Sequence, residues 1–342
     1  MEGPILDKRS PAVLLDHGSG GRASRRLVEE LLLPHLKNDL LDRMDDAAVL
    51  QAGGARLAFT TDSYVVDPIF FPGGDIGMLA VHGTINDLAM AGARPVALSA
   101  GLILEEGLPL ADLERIVASM AKAAANAGVP IATGDTKVVA RGAADKIFIN
   151  TAGIGLVPDG VDVSGHHGRA GDCVILSGPI AEHGVAILST RAGLSFASSC
   201  RSDSAPLAGL VADMLAACPS IHSLRDPTRG GLAATLNELA SQSHVRIDID
   251  ETAIPVSEAA ASACEILGID PLHLANEGVL VALVPEPGAV AVVDTMRAHP
   301  YGRQARIIGR VLEGEPIVVM KTVIGGKRIV SVPSGQPLPR IC

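Results

Sequence analysis

Apolar positions recur along this chain in two rhythms, and their alternation sets the expected fold class. From Leu110 to Ala127, Leu113, Ile116, Val117, Met120 and Ala124 fall at helical spacing, which predicts an amphipathic helix closed by Gly128. Residues 24–33 place Leu27, Val28, Leu31 and Leu32 on one stripe, with Pro34 as the expected stop. Residues 76–91 are apolar nearly all round and read as a buried helix ended by Gly92. Shorter apolar runs predict a strand or arm at 12–15 and strands at 47–50, 57–61, 96–104, 130–133 and 146–157. A Pro- and Gly-rich loop spans 62–75. The order ββαβαββ predicts an α/β (α+β) unit with helices on one face of its sheet rather than a doubly wound fold.

Residues 158–172 are mostly turn formers and read as a linker between two domains, 1–157 and 173–330. The second domain is expected to hold a strand at 173–177, helices near 182–192, 206–217, 231–242, 257–267 and 287–298, and strands near 245–249, 279–284 and 305–312. Beyond it, residues 331–342 carry three prolines and a glycine, which forbid a helix and favour an extended, mobile tail. At roughly 3.3 Å per residue that tail spans about 40 Å. It ends on the thiol of Cys342, which can enter a narrow pocket end-first.

Composition narrows the function classes. Of 342 residues 48% are hydrophobic but only 2% aromatic, and 37 are glycine, which suits close helix-on-sheet contact. A formal charge of -10, with no basic cluster, argues against nucleic acid held through its phosphates. The first residues lack the apolar core of a signal peptide, and no apolar run approaches a bilayer span, so a cytoplasmic protein is expected. Cys173, Cys200, Cys218, Cys264 and Cys342 form no CxxC pair, which speaks against a disulfide framework or zinc site. Cys173, Cys218 and Cys264 lie in apolar patterns and read as interior residues.

Candidate chemistry begins with aspartates on four separate segments. Asp46 precedes a strand, Asp62 ends one, Asp87 sits in the apolar helix and Asp135 follows a strand. Any one of them alone reads as a turn or cap residue. Taken together, among apolar neighbours where solvated charge is costly, they read as ligands for Mg²⁺, which prefers oxygen and bridges to nucleotide phosphates. Two glycine turns add anion sites: Gly18, Gly20 and Gly21 in HGSGGR, and Asp226, Thr228, Arg229 and Gly230 in RDPTRGG, with Thr228 the expected N-cap of the helix that follows. No GxxxxGK[ST] occurs, which excludes a P-loop ATPase. Lys137 and Glu277 are the remaining charged candidates; taken singly, each reads as a surface or structural charge.

The motifs HGSGGR, MDDAAV, TTDSYVVDPIFFPGGDIG, VHGTINDLAMAGARP, GDTKVV, RDPTRGGLA, ANEG and a terminal PRIC follow one another end to end. This series resembles the HypE family of hydrogenase maturation factors, within the wider ATP-binding family of aminoimidazole ribonucleotide synthetase, thiamine monophosphate kinase and selenophosphate synthetase. The resemblance implies a two-domain PurM-like fold, with N-terminal domains pairing into a β-barrel across a homodimer and ATP with Mg²⁺ over the acidic edge. It further implies ATP-dependent dehydration of a carbamoyl group on Cys342 to a thiocyanate. The carbamoyl group would come from the carbamoyltransferase HypF, and the cyanide would go to iron on a HypC–HypD complex. In that chemistry Cys342 is the carrier, Glu277 the base and Lys137 its helper. A small-molecule phosphotransferase of the same wider family would leave Cys342 without a task. A metallochaperone would leave the aspartates unexplained.

Overall fold

The computed structural model describes residues 12–193, 200–332 and 340–342. Most of the expected tail, 333–339, and with it the expected mobility, lies outside the described residues. After a 3-10 turn at Leu15–Gly18, a helix starts as α1 (Arg22–Arg26), widens to a π segment over Leu27–Leu32 and resumes as α2 (Leu33–Leu36). Pro34 does not end it. Pro34 falls in the first turn after the π segment, a position where its fixed φ is compatible with the helix.

The first sheet contains β1 (Ala48–Ala52), β2 (Ala55–Tyr64), β5 (Arg94–Glu105), β6 (Ile131–Val139) and β7 (Ile147–Leu156), in the order β1-β2-β7-β5-β6. Only β5 and β6 are parallel; the other pairs are antiparallel. A two-stranded hairpin, β3 (Phe70–Phe71) and β4 (Gly74–Asp75), occupies the region expected to be loop. Helices α3 (Ile76–Met90) and α4 (Leu110–Ala127) cover one face. Asp75 caps α3 by accepting from the N–H groups of Gly77 and Met78 at 2.8 and 3.0 Å. Along β2, Ala58, Thr60 and Tyr64 are buried while the intervening Phe59, Thr61 and Ser63 are exposed, the period-two signature of a sheet with one open face.

The second sheet runs β14-β13-β10-β12-β8-β11-β9. Its strands are β8 (Cys173–Leu176), β9 (Ser223–Arg225), β10 (Arg246–Asp250), β11 (Val281–Val284), β12 (Arg306–Leu312), β13 (Val318–Lys321) and β14 (Lys327–Ile329). Helices α5 (Glu182–Arg191), α6 (Ala208–Ala217), α7 (Gly231–Ser243), α8 (Glu258–Leu267) and α9 (Glu286–Ala298) complete this half. Strands β9, β13 and β14 are additions to the sequence reading.

One apolar core spans both halves: Leu88, Met90 and Val157 of the first share it with Leu210, Met214 and Leu280 of the second. Each large aliphatic chain fully buried there contributes roughly 2 kcal/mol. Residues 158–172 are part of this junction. Val161, Val163, Ser164 and Asp172 are buried, and Asp45 accepts from Ser164 Oγ at 2.8 Å and from the Gly165 N–H at 2.9 Å. Turn formers there mark a folded connection, which explains why their sequence resembles a linker.

Candidate active site

Five elements bring carboxylates together between the halves. Asp87 is the one acid of apolar α3, and Thr60 Oγ1 on β2 donates to it at 2.9 Å. Asp62 sits inside β2, which runs on to Tyr64. Asp226 follows β9 and is buried, as is Glu277, which is 2% exposed ahead of β11. Asp46 precedes β1 and meets Arg225, whose Nε donates to its Oδ1 at 2.8 Å. The same guanidinium also donates to the Met44 carbonyl at 2.8 Å and to Gln242 at 3.1 Å.

The electrostatics follow from crowding like charges in a dry place. Burial, then the charges of Asp226, Asp62 and Asp46, hold Asp87 well above the usual carboxylate range. Burial, then Asp46, pushes Asp226 up to about 8. Glu277 is raised far by burial, then by Asp226, Asp203 and Asp62, against the pull of Arg229. Burial also raises Asp46, despite its ion pair with Arg225.

These are hard oxygen donors that repel one another, the chemistry a magnesium ion relieves. Among the described residues no three His, Cys, Asp or Glu side chains form a ready-made metal cage. An ion that takes one or two carboxylates and completes its shell with water and phosphate needs none. One or two carboxylates from among Asp62, Asp87 and Asp226, which lie close enough to repel one another, fit a phosphate-bound Mg²⁺ of that kind.

Asp135 stands apart from this group. The sequence reading ended its strand at Thr133, but β6 continues to Val139, so Asp135 lies mid-strand on the sheet's edge. It pairs with Lys137 at 2.6 Å, both side chains being 68% exposed. Lys137 accordingly faces Asp135, not Glu277, within one subunit.

The two glycine turns do converge. Gly20 has φ +76, and a Cβ there would lie 2.5 Å from Arg229 Cβ; a Cβ on Gly230, φ +81, would lie 3.0 Å from the Gly20 carbonyl oxygen. Only glycine allows this contact. Gly18 ends the 3-10 turn and Gly21 precedes α1. Thr228 is not the N-cap of α7: the helix begins after Gly230, and Thr228 instead forms a turn, its N–H donating to the Asp226 carbonyl and its carbonyl accepting from Gly231.

The chain terminus completes the site. A Cys342 main-chain oxygen accepts from the Val65 N–H at 3.1 Å and the Arg340 carbonyl from the Asp67 N–H at 3.2 Å, so the end lies beside the segment leaving β2 like a short added strand. Arg340 also donates to the Val65 carbonyl at 2.9 Å and pairs with Asp145. Ile341 is buried and Cys342 half-buried in the core under α3 and α4. Burial pushes the Cys342 thiol well up; Arg229 pulls against this, while Glu277, Asp62 and Asp226 add to it. The other four cysteines are buried.

Two residues that the sequence left unassigned hold Glu277 in place. The Asp203 carboxylate accepts from the Glu277 N–H at 3.1 Å and the Gly278 N–H at 3.0 Å, and burial raises Asp203 to about 6. Asn86, buried beside Asp87, donates to the carbonyls of Ala205 at 3.0 Å and Glu277 at 3.3 Å and accepts from Leu207 N–H at 2.8 Å. Its place next to Asp87, in a helix with few polar residues, was the available signal for Asn86. Nothing local marks Asp203, whose partners lie over 70 positions away.

Between about pH 4 and 6.5 the lowered His82 and His183 oppose the raised acids, and above that range the raised carboxyls alone make the folded chain hold more protons than the unfolded chain. Without magnesium or nucleotide, the melting temperature is expected to fall as pH rises from about 6.5 through the Asp226 value near 8. Millimolar magnesium is expected to flatten that fall. Thermal melts with EDTA that stay level or climb across this window would contradict the acid cluster.

Known proteins place this geometry. Residues 44–157 match the AIR synthase related protein N-terminal domain, and residues 169–321 match the corresponding C-terminal domain. The chain belongs to the AIR synthase related family. It is 57% identical over 338 residues to the carbamoyl dehydratase HypE of Azotobacter vinelandii, covering 98% of this chain and 99% of that one. A crystal structure of a hydrogenase maturation protein HypE in complex with ATP shares 53% identity at a TM-score of 0.82, covering 97% of this chain and 100% of that one. A HypE–HypF complex shares 48% at 0.86, covering 90% and 99%. Within the family the chain stands with the HypE carbamoyl dehydratases.

Proposed function

We propose that this chain is an ATP-dependent carbamoyl dehydratase acting on its own C-terminal cysteine, in the maturation of nickel–iron hydrogenase. The observation that carries this reading is the terminus itself: Cys342 ends beside Arg229, Glu277, Asp62 and Asp226, and Glu277 Oε1 is buried with no hydrogen-bond partner among the described residues. A thiol kept neutral by burial is a poor nucleophile and a sound carrier.

The substrate is the S-carbamoyl form, S–C(=O)–NH₂, made by a HypF-like carbamoyltransferase. Its oxygen is a poor leaving group until it takes the γ-phosphoryl group of ATP, with ADP leaving and one N–H proton lost. The second N–H proton then goes to Glu277, the C–O bond breaks, phosphate departs and S–C≡N remains. A raised pKa makes Glu277 the stronger base for that step once it is ionised. Magnesium held by Asp62, Asp87 and Asp226, with Asp46 adjoining, would offset phosphate charge. Arg229, with the turns around Gly18–Gly21 and Asp226–Gly230, would face the phosphates. The thiocyanate would then be delivered to iron on a HypC–HypD complex in the cytoplasm. No helix of the described residues is long and apolar enough to cross a membrane.

The open face of the first sheet supports a homodimer. Phe59, Ile103, Val138 and Ile154 are each more than 40% exposed there or on its edge. Pairing two such faces into a barrel would carry Asp135 and Lys137 into the partner's site, the role the sequence reading gave them. Phe59→Glu is expected to yield monomers by light scattering; an intact dimer would remove that face from the interface.

Function is tested by single-turnover phosphate release. One phosphate per carbamoylated chain, and none from the unmodified chain, is expected. Phosphate transferred to an added small acceptor instead would select a phosphotransferase.

A further inference from the structure

We propose that His183, oriented by Ser202, is a positioning residue that latches the C-terminal dipeptide into the active site. This deepens the dehydratase reading and rests on it. His183 is the second residue of α5 and fully buried. Its Nε2 lies 2.7 Å from the Ile341 carbonyl oxygen and its Nδ1 lies 2.8 Å from Ser202 Oγ. A carbonyl only accepts, so Nε2 carries the proton and Nδ1 accepts from the serine hydroxyl. Ser202 is fixed in turn: its N–H donates to the Pro72 carbonyl at 2.8 Å, and its Oγ accepts from the Ser204 N–H at 3.2 Å. The Phe71 ring stands edge-on to the imidazole at 5.5 Å. Every polar atom of the ring is used, and one of its two bonds holds the tail.

The same short loop also holds the base. Asp203, next to Ser202, accepts from the Glu277 and Gly278 N–H groups. The Ala205 N–H donates to the Glu277 carbonyl at 3.3 Å, and Ser204 Oγ meets His82 Nδ1 at 3.0 Å. Residues 202–205 therefore set the tail and Glu277 in one register, the tail through His183 and Glu277 by direct bonds. Because His183 grips a main-chain carbonyl, it is indifferent to what the sulfur carries. Free, carbamoylated and cyanated tails can all dock on it.

The test is the alkylation rate of Cys342 by iodoacetamide in the full-length protein, followed by mass spectrometry of the C-terminal peptide. It needs no carbamoyl chemistry, so it can fail or succeed independently of the dehydratase reading. His183→Ala is expected to raise the rate about five-fold, the size of one lost hydrogen bond. His183→Gln, whose amide can still donate, is expected to stay near wild type. In carbamoylated protein the alanine variant should lose dehydration rate to a similar extent while ATP affinity holds. An unchanged alkylation rate in His183→Ala, or a glutamine variant as exposed as the alanine one, would overturn the latch. Should His183→Ala not fold, Ser202→Ala carries the test: faster alkylation supports the latch and a wild-type rate overturns it.

Discussion

Replacing Cys342 by alanine is expected to abolish cyanide formation while leaving ATP affinity within about two-fold. The sulfur is the atom that carries the reacting carbon, so its loss removes the substrate rather than slowing a step. Cys342 makes its described main-chain hydrogen bond to Val65 through a main-chain oxygen, which alanine keeps. The variant terminus should therefore still dock, and its melting temperature should move little. Calorimetry with ATP and a cyanide-transfer assay check both halves. Transfer at the wild-type rate would mean that another atom carries the carbon.

Glu277→Gln is the second large effect. The amide keeps the shape of the side chain and both main-chain restraints, the Asp203 carboxylate on the N–H and Asn86 on the carbonyl. What it removes is the proton acceptor. A positioned general base is worth about 10² to 10⁴ in rate, so dehydration should fall by that order with ATP binding unchanged. The variant should also be more stable at neutral pH, because it deletes one buried acid from a set that repels itself. Rapid dehydration in the variant would move the base elsewhere. Weak ATP binding with normal dehydration would make Glu277 a ligand-binding residue instead.

The elements that the sequence made legible are those with a local cause. The bounds of α4 fall where the apolar stripe and the Gly128 cap put them, since Gly128 adopts the left-handed conformation at φ 68. The buried α3 was legible because polar residues are so few in it, and for the same reason Asp87 stood out. Where the cause is tertiary, the sequence was silent or misleading. Strand β6 outruns its apolar residues because an edge strand takes its backbone bonds from β5, not from a buried face of its own. Pro34 marked a stop that the π segment before it makes unnecessary. Arg225 looked like part of a turn, yet it is nearly buried and ties Asp46 to the second half. Asp203 and His183 belong to the site only because the chain folds back over long separations.

The claim on which the site and the chemistry both depend is that the chain's own end is the substrate. It is tested most directly by carbamoylating the protein, adding ATP and magnesium, and weighing the C-terminal peptide. The expected result is a peptide lighter by one water, only when ATP is present and in step with phosphate release. A peptide of unchanged mass while phosphate accumulates would contradict it.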